Sequence, residues 1–171
     1  MQKLTHFDSN GQIAQVEITG KPYSLRRAVA CGVVKTKPQV IRLIRENRLA
    51  KGNALATAKI AGILAAKRVD TLIPLCHSLN LDCVDLQFKL RRDSICITSE
   101  VKTRQATGVE MEALTAVSVA CLTIYDMIKS TGQDIVIGPI YLLEKSGGRS
   151  GHYKSKRLGV RGWRLENERK N

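Results

Sequence analysis

The run Val84-Asp85-Leu86-Gln87-Phe88-Lys89-Leu90, followed by Arg91-Arg92-Asp93-Ser94 and then by Ile95, Ile97, Ser99 and Val101 at alternate positions, decides the fold. Apolar and polar residues alternate with period two, as they must when one face of a strand is buried and the other wet. The polar tetrapeptide between the two runs is a turn, so the pair predicts a β-hairpin in the middle of the chain.

Upstream, Ala28-Val29-Ala30-Cys31-Gly32-Val33-Val34 lies within Leu25 to Lys35 and reads as a buried strand. Pro38 opens a helical stretch in which Val40, Ile41, Leu43 and Ile44 recur at helical spacing until Asn47. Lys51-Gly52-Asn53 punctuates, and a second helix is predicted from about Ala54 to Lys67. Its many small residues allow another element to approach closely.

Downstream, a long helix is predicted from near Thr107, where Thr107 and Glu110 have the spacing of a capping box. Leu114, Val117, Cys121, Ile124, Tyr125 and Ile128 form its apolar face, and Thr131-Gly132 ends it. A last strand runs from Ile135 to Leu143, interrupted by Gly138-Pro139. The order β-α-β-β-α-β, with two helices in the first crossover, predicts an α+β, ferredoxin-like antiparallel sheet with helices on one face. An extra N-terminal segment precedes it, and residues 1–154 form a single domain. A basic tail, residues 155–171, is expected to be mobile or peripheral.

Composition narrows the function. The 171 residues carry a formal net charge of +13, which calls for an anionic partner such as phosphate, nucleic acid or an acidic surface. Five cysteines, an odd number without C-x-x-C spacing, and no N-terminal apolar run suit reduced thiols in the cytoplasm. The stretch from Ala113 to Ile128, broken by polar residues, reads as too short and too polar to span a membrane. No P-loop and no G-x-G-x-x-G are present. An enzyme acting on a phosphorylated substrate and an RNA-binding domain of like topology both remain open. The RNA reading wants exposed aromatics on the sheet, and Phe88 alternates with the core set instead.

Three groups of residues offer chemistry. His77, in Pro74-Leu75-Cys76-His77, sits at a helix-to-strand junction with a side chain able to act as acid or base near neutrality. A zinc site of Cys76, His77 and Cys83 matches no common ligand spacing. On the long helix, Glu112, Thr115, Asp126 and Lys129 fall in one stripe about 100° wide. Glu112 and Asp126 are nonetheless roughly 21 Å apart along the axis, too far to act on one atom. Lys51 precedes a helix N-terminus, and Lys145, Arg149 and Lys154 bracket a glycine-rich segment whose backbone can approach a phosphate.

Several motifs together resemble the MoaC family of molybdenum cofactor biosynthesis. They are Leu49-Ala50-Lys51-Gly52-Asn53, Leu72-Ile73-Pro74-Leu75-Cys76-His77, Thr107-Gly108-Val109-Glu110-Met111-Glu112, Leu122-Thr123-Ile124-Tyr125-Asp126-Met127 and Lys145-Ser146-Gly147-Gly148. The resemblance covers about residues 3 to 154. It implies a ferredoxin-like enzyme, a phosphorus–oxygen lyase, that converts 3′,8-cyclo-7,8-dihydro-GTP to cyclic pyranopterin monophosphate and releases pyrophosphate. A radical SAM enzyme would supply the substrate.

The resemblance also implies a homohexamer, a trimer of dimers with active sites at the dimer interface, and neither nucleic acid nor membrane as partner. By the same likeness Asp126, Lys51 and Lys129 are catalytic. Leu75, Cys76, His77, Met111, Glu112, Glu110, Arg26, Lys67 and Lys145 bind substrate. No cofactor is required, and Mg²⁺ can accompany the substrate phosphates without a dedicated protein site. Crowding by other cations is expected to lower a lysine pKa toward neutrality. The chain departs from the family pattern at Asn53, where an acidic residue is often found, and at Ser78, where proline is common.

Overall fold

A computed structural model describes residues 10–132, 134–148 and 151–156. The hairpin predicted from the period-two runs forms as β2 (Cys83–Leu90) and β3 (Ser94–Gln105), paired from Cys83 opposite Lys102 to Leu90 opposite Ile95. The Arg91 N–H closes the turn on the Ser94 carbonyl. On its other side β3 pairs antiparallel along its whole length with β1 (Ser24–Lys35). β1 in turn pairs with β4 (Val136–Ile137) and β5 (Tyr141–Ser146). The two-residue strand β6 (Tyr153–Lys154) adds to β5. The sheet order β2-β3-β1-β5-β6, every pairing antiparallel, is the ferredoxin-like arrangement extended by one strand.

The helices are α1 (Pro38–Arg45), α2 (Ala54–Ala66), the single turn α3 (Val69–Leu72) and α4 (Glu110–Ile128). α4 lies across β1 and β3 with α2 packed beside it. The small residues of α2 set that closeness. A Cβ on Gly62 would stand 2.9 Å from the Ala116 carbonyl of α4 and 2.6 Å from a Leu86 methyl of β2. The core they seal is built from Ala, Val, Ile and Leu, as the scarcity of aromatics requires.

Four sequence expectations are corrected. α4 starts at Glu110 with Val109 as its N-cap, so Thr107 and Glu110 form no capping box. The Glu110 carboxylate is held by Lys145 instead, a tertiary ion pair that outweighs the local cap. The buried face of α4 is broader than expected on one side and narrower on the other: Val117, Cys121, Ile124 and Ile128 are buried as predicted, Ala113, Ala116 and Ala120 join them, and Tyr125 is exposed. Alanines suit the contact because they let the helix sit close to the sheet.

The last strand breaks at Gly138-Pro139 as expected but continues to Ser146. The Ser155 N–H, just after β6, donates to the Leu143 carbonyl. The remainder of the basic tail, residues 157–171, lies outside the described residues. Finally, α4 with the 3₁₀ turn after it (Lys129–Thr131) runs 22 residues, long and apolar enough to cross a membrane by length and composition. It is the central core helix, with Ala113, Val117, Cys121, Ile124 and Ile128 wholly buried against the sheet and α2.

Candidate active site

The C-terminal end of α4 carries the first cluster. Gly52, at φ +88°, turns the chain into α2. Asn53 caps that helix by accepting the Ala56 N–H at 2.9 Å, which explains an amide where an acid would also serve. The turn throws Lys51 toward α4. Its Nζ donates to Asp126 Oδ2 at 2.9 Å and to the Asp126 carbonyl at 2.8 Å, while Lys129 Nζ meets Asp126 Oδ1 at 2.7 Å.

Hydrogen bonds from Lys129 and then Lys51 pull the Asp126 carboxyl down to about 2. The same contact raises the Lys129 ammonium above its ordinary value, so the expectation of a lysine lowered by neighbouring cations is reversed at this residue. All three side chains are about half exposed, so two fixed ammoniums stand open to an anionic ligand.

A second cluster sits at the opposite end of α4. Lys145 of β5 pairs with Glu110 at 2.8 Å. Arg26 of β1 donates through Nη2 to the Ala106 carbonyl at 3.1 Å and through Nε to that of Gln105 at 3.3 Å, which fixes its guanidinium. Gly147 (φ +98°) and Gly148 (φ +73°) press against the Leu25 carbonyl and the Arg26 guanidinium, space that a side chain would fill. Lys21, Ser24, Arg26, Glu110, Lys145 and the glycine pair line a cleft of about 700 Å³. One carboxylate among several cations leaves it positive, and its size suits a nucleotide. Ser24 Oγ is buried there without a partner. Neither Lys21 nor Ser24 was singled out from sequence, although Ser24 and Arg26, two apart on one strand, share a face.

The third cluster flanks the same end of α4. Glu112 is 4 % exposed, and burial, with the charges of Glu110 and Asp70, raises its carboxyl to about 7. It shares a small cavity of about 110 Å³ with Lys67, Asp70 and His77. His77 Nε2 lies 2.8 Å from the Val16 carbonyl. Gln15 Nε2 donates to the Cys76 carbonyl at 2.8 Å. Burial pushes the Cys76 thiol up. Ser78 Oγ donates to the Asp70 carboxylate, a role a proline could not fill. Leu75 and Cys76, which precede His77, are half-buried, and Met111 is exposed. Asp70 and residues 15–16 carried no motif that would have marked them.

The structure thus unites Lys51, Asp126 and Lys129 at one end of α4. It gathers Arg26, Glu110 and Lys145, and separately Lys67, His77 and Glu112, at the other. The helix keeps the two ends roughly 21 Å apart. Among the described residues, no three His, Cys, Asp or Glu side chains converge to hold a metal, Cys76, His77 and Cys83 included.

Comparison with known proteins places the chain in a family. Residues 15–148 match the MoaC family. The chain is 53% identical over 155 residues to the cyclic pyranopterin monophosphate synthase of Magnetococcus marinus, covering 90% of this chain and 95% of that one. It is 52% identical over 155 residues to the protein of that name from Heliobacterium modesticaldum, covering 90% and 98%. A molybdenum cofactor biosynthesis bifunctional protein of Chlorobaculum tepidum is 52% identical over 148 residues, which span 86% of this chain and 47% of that protein.

Proposed function

The chain belongs to the MoaC family, and from that premise we propose that it is a cyclic pyranopterin monophosphate synthase of molybdenum cofactor biosynthesis. It converts 3′,8-cyclo-7,8-dihydro-GTP to cyclic pyranopterin monophosphate and pyrophosphate. The observation that carries the reading is the Lys51–Asp126–Lys129 cluster, in which one ionised carboxylate orients two exposed ammoniums from different parts of the chain.

In this reading Lys51 and Lys129 bind the substrate and move protons, with Asp126 setting their geometry. Arg26, Lys67 and Lys145 hold the triphosphate and stabilise the charge that leaves with pyrophosphate, with Glu110 orienting Lys145. His77 and Glu112, framed by Leu75, Cys76 and Met111, position the base and ribose. Glu112, raised to about 7, is poised to exchange a proton near neutrality. No cofactor is required, and Mg²⁺ travels with the phosphates.

The 21 Å between the ends of α4 supports a homo-oligomer, a hexamer built as a trimer of dimers, in which one subunit's Lys51 cluster meets its neighbour's His77 and Lys145 clusters. Ile60 and Leu64 of α2 and Leu122 of α4 are exposed apolar side chains suited to such a contact. The enzyme works in the cytoplasm, downstream of a radical SAM enzyme, and binds neither nucleic acid nor membrane.

The test is turnover of enzymatically prepared cyclised substrate, with product oxidised to a fluorescent pterin. Fluorescence above an enzyme-free control is expected, and its absence from folded protein overturns the reading.

A further inference from the structure

Before β1 the chain runs as an exposed strap over the junction that carries His77. Side-chain hydrogen bonds from Gln15 and His77 hold the strap there. Gln15 Nε2 donates to the Cys76 carbonyl at 2.8 Å and stands 3.5 Å from that of Leu75. One residue on, the Val16 carbonyl lies 2.8 Å from His77 Nε2. A main-chain carbonyl has no proton to give, so His77 Nε2 must be the donor. In the neutral ring the other nitrogen, Nδ1, is then the bare one. The neighbouring Glu17 carboxylate, which accepts the Thr19 N–H at 2.9 Å, also lies close enough to His77 to be influenced by its charge. The strap next turns through an Ile18 carbonyl to Lys21 N–H bond of 2.9 Å and delivers Lys21 to the wall of the larger cleft.

We infer that Gln15–Val16 is a positioning element for His77: the Val16 carbonyl fixes the ring with a proton on Nε2, and the Gln15 amide pins that carbonyl by clamping the strap to the Cys76 backbone. The nitrogen free to work is Nδ1. It accepts a proton from the substrate to give the imidazolium, whose Nε2–H still donates to Val16, and returns that proton later in the cycle. Histidine distinguishes its two nitrogens by the hydrogen bond that one of them makes, and here the bond comes from a segment distant in sequence. Lys67, Asp70 and Glu112 share the cavity that His77 lines, with Glu17 on the strap side, so these are the charged groups that face the ring. The kinetic part of this inference rests on the function proposed above; the tautomer does not.

The experiment is ¹H–¹⁵N spectroscopy of the imidazole rings in the full-length chain, with His77 assigned by its loss in His77→Gln. The wild-type chain should show a hydrogen-bonded Nε2–H protected from solvent exchange and an unprotonated Nδ1. Gln15→Met, which keeps the length but not the donor, and Gln15→Ala should each speed exchange of that proton about tenfold or more and let the Nδ1–H tautomer appear. In both, kcat should fall roughly tenfold with KM within about twofold. A wild-type ring protonated on Nδ1, or exchange unchanged in both folded variants, overturns the assignment. Faster exchange with unaltered kcat overturns the catalytic role of the positioning. A wild-type chain that shows the locked ring but turns over no cyclised substrate counts against the proposed function and leaves the tautomer assignment standing.

Discussion

Lys51 and Asp126 stand seventy-five positions apart in the chain, yet the lysine ammonium donates to both the carboxylate and the main-chain carbonyl of the aspartate, at 2.9 and 2.8 Å. That double contact fixes where the Lys51 charge stands relative to the last turn of α4, and Lys129 completes the set from the other side. The arrangement is exposed, so it contributes little to stability.

Lys51→Ala and Lys129→Ala should therefore each abolish product formation, lowering turnover by about a hundredfold or more. Melting temperature should stay within a few degrees of wild type, because exposed positions contribute little to folding. The fluorescent-pterin assay and circular dichroism together check this, and near-normal turnover in either folded variant removes the assignment.

Asp126 ionises at about 2 because two ammoniums hold it charged. A depressed carboxyl favours the folded state above its unfolded pKa and loses that effect as pH falls through the folded one, here between about 4 and 2. Asp126 accordingly stays charged across any physiological range. In Lys129→Ala its pKa should move up toward the ordinary value, as followed by ¹³C shifts of the labelled carboxylate. A value still near 2 would mean that Lys129 is not the chief cause.

Glu112 titrates in the opposite sense. Its folded pKa, raised to about 7 by burial, lies above the unfolded value. The protonated form fits the folded cavity, so this contribution is complete below the unfolded pKa and is lost as pH rises through about 7. Wild-type thermal stability should decline from pH 5 to pH 8 relative to Glu112→Gln, by several degrees at the alkaline end. Parallel melting curves for the two proteins over that window would contradict a buried, proton-binding Glu112.

Two inactive proteins should complement each other if active sites combine residues from neighbouring subunits. Mixing Lys51→Ala subunits with His77→Ala subunits, after reversible dissociation, should restore about a quarter of wild-type sites in randomly formed dimers. Light scattering of the wild type should report a closed oligomer at micromolar concentration. A monomer at that concentration, or mixtures as dead as their components, would refute composite sites.

Gly62→Ala should destabilise the chain by about 1–3 kcal/mol, the range for forcing volume into a packed contact. The added methyl meets the Ala116 main-chain carbonyl, which cannot swing aside, as well as a Leu86 methyl, which can. Urea denaturation measures it, and an unchanged midpoint would show that α2 and α4 separate without cost.

The fold was legible because its signals are local. Period two in residues 84–101 and helical spacing in 38–47 and 54–67 mark elements whose side chains must face one core, and the hairpin, the buried β1 and both crossovers formed accordingly. The capping box failed for a reason equally local in form but tertiary in cause. Glu110 had two possible partners, the backbone of its own helix start and Lys145 thirty-five residues away, and no spacing rule ranks them. The strap escaped notice because Gln15 and Val16 are ordinary residues whose importance lies wholly in what they touch.

The amino-acid order by itself determined which residues are chemically able to act, which segments form strands and helices, and that two ends of a rigid helix cannot serve one atom. Tertiary structure alone decided that Lys51 and Lys129 converge on one carboxylate, that Glu112 is buried and hence carries a raised pKa, and that His77 is held through Nε2. The division follows from range. Backbone periodicity and side-chain polarity are properties of neighbours along the chain, whereas desolvation and hydrogen-bond pairing depend on groups brought together only by folding.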